Sequence, residues 1–168
     1  MGRWPVALAG RETGGRGLEV APPRPNAGVL VLDEAHQALA ALPGGVLGQV
    51  EGPLHYLDLG GVQAPSLAAF GGVTLLTGVT KLYACHSGLT SLAGLERLAS
   101  IRWLYLDRNA LSAQELLRLP EVLPAGVRLE ALDVSGNPGC TPEVEAALQS
   151  SGLLRHAEYF NGARLRRL

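Results

Sequence analysis

Aliphatic residues return in one spacing four times along the chain: Leu54-x-x-Leu57-x-Leu59, Val79-x-x-Leu82-x-Ala84, Ile101-x-x-Leu104-x-Leu106 and Leu129-x-x-Leu132-x-Val134. The middle residue recurs after 25, 22 and 28 positions, a period typical of stacked repeats in which each unit buries its apolar side against the next. Residues two apart share a face in an extended strand. Each triplet therefore predicts a short strand with its aliphatic side chains inside and the intervening residues outside.

The segments between triplets predict how the chain returns. Residues 29–33, VLVLD, read as a first strand, and residues 34–42, EAHQALAAL, as a helix that stops at Pro43-Gly44-Gly45. Setting Leu32 against Leu57 gives this terminal, degenerate unit a step of 25 residues as well. The return over 65–76, with Gly71-Gly72, predicts an irregular or very short helix. Leu89, Leu92, Leu95 and Leu98 recur every third residue, which suits a 3₁₀-like return with all of them pointing inward. Ser112-Ala113-Gln114-Glu115 has the pattern of a capping box, so a helix starts there and ends near Pro120 or Leu123. Thr141, Pro142 and Glu143 form a second helix start, and that helix closes near Ser150-Ser151-Gly152. Three segments follow: a Gly/Pro/Arg-rich leader over 1–27 that is expected to be disordered, a repeat domain over 28–152, and a capping segment over 153–168. Leu153, Leu154, Tyr159, Phe160, Leu165 and Leu168 are expected to cover the last turn, and Arg164, Arg166 and Arg167 make the end basic.

In two units the register runs on to a polar residue. Residues 101–111 read IRWLYLDRNAL and residues 129–139 read LEALDVSGNPG. These segments resemble the leucine-rich repeat, LxxLxLxxNxL. VTKLYACHSGL, residues 79–89, matches with Ser87 in the asparagine slot, while LHYLDLGGVQA, residues 54–64, places Val62 there and ends on Ala64. The resemblance covers about residues 29–152 and implies an α/β solenoid, or horseshoe, of about five units. Short parallel strands would line its concave face and helices or turns its convex face. It also implies asparagines that pair backbone groups where the chain leaves each strand, with Asn109 and Asn137 as the two clear members. The mixture of return lengths resembles short and ribonuclease-inhibitor-like repeats together.

The outward positions of the predicted strands form columns. The first reads Tyr56, Lys81, Trp103 and Ala131, the second Asp58, Tyr83, Tyr105 and Asp133, the third Gly60, Cys85, Asp107 and Ser135, with His86, Arg108 and Gly136 just beyond. Tyrosine and tryptophan are favoured where apolar contact and hydrogen bonding are both needed. Tyr56, Asp58, Lys81, Tyr83, Trp103, Tyr105, Asp107 and Asp133 are thus the candidate protein-binding residues. The plainer alternatives are rings packed on one another across neighbouring strands, or coverage by the leader or by a second copy of the chain.

Composition narrows the picture. Apolar residues make up 47% of the chain but aromatics only 5%, so aliphatic side chains must fill the core. A net charge of −1 does not suggest a nucleic-acid partner. Cys85 and Cys140 form no CxxC pair, which points away from a metal knuckle or disulfide framework and towards a reducing compartment. No stretch reads as a membrane span or a secretory signal. The expected location is the cytoplasm, with the nucleus second and the mitochondrion behind it. Cys85 and His86 are adjacent, hence on opposite sides of a strand and poorly placed as a catalytic dyad, and Cys140 reads as a small buried filler. His36, His55 and His156 lack partners at ligand spacing, and Asp58, Asp107 and Asp133 lack the dense spacing of a calcium loop. No catalytic residue, cofactor or metal is expected. The resulting expectation is a non-enzymatic module that binds another protein through the concave face. The alternative is an adaptor or regulatory subunit of a larger complex, such as a ubiquitin ligase, a phosphatase or an assembly factor. An enzyme ranks last.

Overall fold

The computed structural model describes residues 28–32, 47, 52–71 and 73–165. The expected leader over 1–27, the helix over 34–42, His36, and the basic pair Arg166 and Arg167 lie outside the described residues. Seven strands form one open sheet in chain order: β1 (Val29–Val31), β2 (Tyr56–Asp58), β3 (Lys81–Tyr83), β4 (Trp103–Tyr105), β5 (Ala131–Asp133), β6 (Tyr159–Phe160) and β7 (Ala163–Arg164). Pairing is parallel from β1 to β6, and β7 folds back antiparallel on β6. The result is a single α/β domain with a continuous, unclosed and mostly parallel sheet flanked by short helices, an open, solenoid-like arrangement.

The aliphatic register sets this pairing. Leu57, Leu82, Leu104 and Leu132 stand opposite one another on successive strands and are buried. The flanking triplet members Leu54, Leu59, Val79, Ala84, Ile101, Leu106, Leu129 and Val134 join the same core. The first unit differs from the sequence expectation. Leu30, not Leu32, pairs with Leu57, so the step is 27 residues. Leu32 matches Leu59 instead, and its amide donates to Asp58 O at 2.7 Å. A two-residue shift keeps the same side chains inside, so hydrophobic alternation alone cannot choose between the two registers.

The returns follow their local sequence. 3₁₀ turns span Leu67–Phe70, Val73–Gly78 and Leu95–Arg97, and Leu89, Leu92, Leu95 and Leu98 all point into the core. The return after β4 is two short helices, α1 (Ala113–Leu117) and α2 (Leu119–Val122), rather than one. Pro120 has no amide to donate, so it sits in the first turn of α2, where none is required. Ser112 caps α1 by accepting from the Glu115 amide at 3.2 Å. The Glu115 carboxylate does not make the reciprocal half of the expected box. It accepts from the Leu92 amide of the preceding unit at 3.0 Å and from Arg118 Nη1 at 2.7 Å. These bonds, the one from Leu92 first, hold its pKa below the usual carboxylate value. α3 (Pro142–Ser150) starts as expected, with Thr141 Oγ1 accepting from the Val144 amide at 3.4 Å.

The capping segment carries more structure than its composition suggested. Leu154, Ala157 and Phe160 enter the core, and Asn161 and Gly162 turn the chain between β6 and β7 at φ values of 48° and 75°. An Asn-Gly pair with both residues left-handed is the usual two-residue hairpin turn. Asn161 also ties the hairpin to the domain: its Oδ1 accepts from the Val134 amide at 2.9 Å and its Nδ2 donates to Glu145 at 2.6 Å. Tyr159, expected to help cover the last turn, instead stands out from the sheet at 45% exposure.

Where the chain leaves each strand it turns sharply. Gly61, His86, Arg108 and Gly136 occupy the same place in successive units, all with φ between 54° and 81°. The residue after each is buried. Asn109 Nδ2 donates to Ala84 O at 2.7 Å and Leu106 O at 2.9 Å, while its Oδ1 accepts from the amides of Ser87 at 2.9 Å and Leu89 at 3.1 Å. Asn137 repeats this one unit on, donating to Leu106 O and Val134 O and accepting from the Leu111 amide. Ser87 does only the donor part, its hydroxyl pairing Leu59 O at 2.8 Å. Lacking an amide oxygen in reach, the Val62 unit satisfies its amides from the backbone: Val62 N donates to Leu59 O and Ala64 N to Ser87 O. Gly139 ends the last such segment where a leucine would be the regular choice. A side chain there would run into the backbone of Ser112 and Ala113 at the start of α1.

Asn109→Ala should leave two amides and two carbonyls short of partners and lower the unfolding free energy by about 3 kcal/mol, against about 1 kcal/mol for Ser87→Ala. Urea unfolding of the two variants beside the wild type checks this, and equal losses would contradict it.

Candidate protein-binding face

The pairing register brings the outward residues into rows across the strands. Tyr56, Lys81, Trp103, Ala131 and Tyr159 form one row, and Asp58, Tyr83, Tyr105 and Asp133 the next. Val29 and Val31 of β1 extend these rows at the other end. Tyr56, Asp58, Lys81, Tyr83, Trp103, Tyr105, Asp107 and Asp133 are all half-buried, flanked by neighbours yet open to solvent. Ala131 departs from the expectation: it lies on this face but is only 2% exposed. Its methyl group stands in register between the much larger Trp103 and Tyr159 side chains, which rise above it. With Tyr159 added, all four tyrosines of the chain lie on this one face. The Asn161-Gly162 pair is the local signal for the hairpin that carries Tyr159, while its pairing with Ala131 is a long-range contact.

The rings are ordered by one another. Tyr83 and Tyr105 stack at 4.4 Å between centroids with planes 2° apart, and Tyr56 meets Tyr83 at 5.8 Å, tilted by 45°. Lys81 Nζ lies 5.0 Å from the Tyr83 ring centre and 5.9 Å from that of Tyr56, within cation–π range. Packing across strands therefore does occur here, and it holds the rings in place while leaving them accessible.

Carboxylates surround the stack. Asp58 accepts from the Gly60 amide at 2.9 Å, and Asp133 from the Ser135 amide at 3.0 Å and hydroxyl at 2.6 Å. Asp107 is the carboxylate that acts most on the Cys85 thiol. Burial first, then the neighbouring Asp107 and the negative charges of Asp58 and Asp133, push the Cys85 thiol well above the usual cysteine range. A thiol held protonated in this way is a poor nucleophile. His86 is exposed and its ring nitrogen Nε2 meets Arg108 Nη1 at 3.1 Å, so its side chain is engaged away from Cys85. Cys140 is half-buried rather than a fully buried filler. Burial and the nearby Glu145 carboxylate, 3.5 Å from its sulfur, raise its pKa, overriding the small stabilisation expected from the start of α3. His55 Nδ1 lies 3.2 Å from Gly78 O. Among the described residues, no group of three or more His, Cys, Asp or Glu is placed to hold a metal ion, and no helix is long and apolar enough to cross a membrane.

Burial, the neighbouring Tyr83, Asp133 and Cys85 push the Tyr105 phenol from 10.0 up to about 12. In the unfolded chain this proton leaves near the ordinary tyrosine value. Between about pH 10 and pH 12 the folded state therefore holds more protons than the unfolded state, and stability falls as pH rises through that window. Urea midpoints measured from about pH 9 upward should drop more steeply for the wild type than for Tyr105→Phe; parallel profiles would contradict this assignment.

The chain matches no protein-family model and no curated protein sequence.

Proposed function

We propose that this chain is a leucine-rich-repeat recognition module, a curved stack with its strands on the concave side, which binds another protein through the face that carries Tyr56, Asp58, Lys81, Tyr83, Trp103, Tyr105, Asp107 and Asp133. It works without catalysing a reaction, and its place is the cytoplasm. The observation that carries the reading is the stacked Tyr83–Tyr105 pair beside Trp103, held half-open to solvent on an unclosed sheet. Rings already fixed by their neighbours lose little conformational freedom when a partner covers them, so more of the contact energy appears as affinity. Tryptophan and tyrosine are also the side chains most often found at the energetic centres of interfaces. The repeat assignment is supported by the recurring aliphatic register and by the side chains of Ser87, Asn109 and Asn137, which pair buried backbone groups at equivalent turns. The non-catalytic reading is supported by Cys85, the nucleophile on this face, whose thiol is kept protonated first by burial and then by its carboxylate neighbours.

Affinity capture with the wild type beside the Trp103→Ala, Tyr105→Ala double variant tests the proposal. The main bound protein should be lost from the variant while its thermal unfolding stays cooperative. Unchanged capture by a folded variant would refute the assignment of this face.

A further inference from the structure

The chemistry of the face specifies its partner more narrowly. Three carboxylates border the tyrosine stack: Asp58 and Asp133 stand in one row with Tyr83 and Tyr105, one at each side of the pair, and Asp107 follows Tyr105 by two residues. Their charges therefore flank the centre of the face. Four basic groups also reach this face, but among the described residues none of them is ion-paired with these three carboxylates. Lys81 lies over the Tyr56 and Tyr83 rings. Arg164 sits across from Tyr159 on the last strand. Arg108 contacts the His86 ring, and Arg102 is paired with Glu130 at 2.8 Å. The inner hydrogen bonds from Gly60 and Ser135 reach only Oδ1 of Asp58 and Asp133, which leaves Oδ2 of each for an incoming donor. The tyrosine rings meanwhile show what they accept, since the protein's own ammonium group rests against two of them.

We propose that the face docks a basic, extended segment of a partner protein, with arginine or lysine side chains lying on the tyrosine rings and reaching the carboxylates of Asp58, Asp107 and Asp133. The proposal rests on the binding role assigned to this face above and adds the charge of the occupant. A cation here gains twice, from the ring faces and from the carboxylates. An acidic segment meets like charge at the centre of the interface, which disfavours it. Part of the attraction is long-range, so binding weakens as salt rises.

A random-peptide display library panned on the full-length protein tests this, with counter-selection on the Trp103→Ala, Tyr105→Ala variant. Recovered sequences should be enriched in arginine and lysine by about threefold over the input. Their affinity should fall about tenfold, the loss of about 1.4 kcal/mol expected when favourable charge contacts vanish, for Asp58→Asn, Asp107→Asn, Asp133→Asn. Asparagine keeps an oxygen for the Gly60 and Ser135 donors, and a thermal melt establishes that this triple variant remains folded. Peptides that depend on Trp103 and Tyr105 but carry no excess of basic residues would overturn the charge inference and leave the docking role intact. Recovery of no peptides, or of peptides held equally by the double variant, would overturn both.

Discussion

A strand only three residues long that turns away from its sheet leaves amide and carbonyl groups buried with no ladder partner, at a cost of about 1–3 kcal/mol for each one unpaired. The fold depends on how those groups are paired. Asn109 serves four of them across two units, Asn137 serves three, and the Ser87 hydroxyl reaches the Leu59 carbonyl one unit back. The bonds to Leu106 from Asn109 and to Val134 from Asn137 stay within one unit, while the others span neighbouring units and so fix the position of one strand against the next as well as satisfying a turn. Towards the N-terminus this pairing thins. Val62 has no polar atom on its side chain, and the backbone takes over the job.

The open face follows from that arrangement. Once the turns lock the strands in one parallel register, alternation puts Leu57, Leu82, Leu104 and Leu132 inside and brings the residues on either side of them into rows outside. The Tyr83–Tyr105 stack is a product of this registry: the two tyrosines are directly opposed because their leucine neighbours are. Shifting either strand by one residue would bury the rings and expose the leucines. Architecture and candidate site are thus set by the same interaction, the pairing of turns between units.

Much of this could be read from the chain before any coordinates. The strands β2 to β5, their inward leucines, the 3₁₀ character of the return through Leu95 and the starts of α1 and α3 all carry local signals, either strict spacing or a recognisable cap. What escaped has a common physical origin. The register of β1 was ambiguous because Leu30 and Leu32 both face inward and a shift of two residues preserves the pattern. The division of the return at Arg118 depended on where Pro120 could sit without an amide. The partner of Glu115 was a backbone amide twenty-three residues away, beyond the reach of any local motif. The apolar neighbours of Tyr159 suggest cover for the last turn, whereas the left-handed Asn161-Gly162 turn sets it on a hairpin strand with its ring outward. The columns of the face were legible because they need only strand alternation, whereas the stacking of its rings and the shielding of Ala131 needed side-chain geometry.

The central claim is that aromatic rings and aliphatic triplets lie on opposite sides of one register-locked parallel sheet. Nuclear Overhauser contacts between side chains test it most directly. Ring-to-ring contacts should link Tyr56 to Tyr83 and Tyr83 to Tyr105, while a separate series of methyl-to-methyl contacts links Leu57, Leu82, Leu104 and Leu132. Strong contacts from the Tyr83 or Tyr105 ring to the methyl groups of that leucine series would place the rings in the interior and contradict the account.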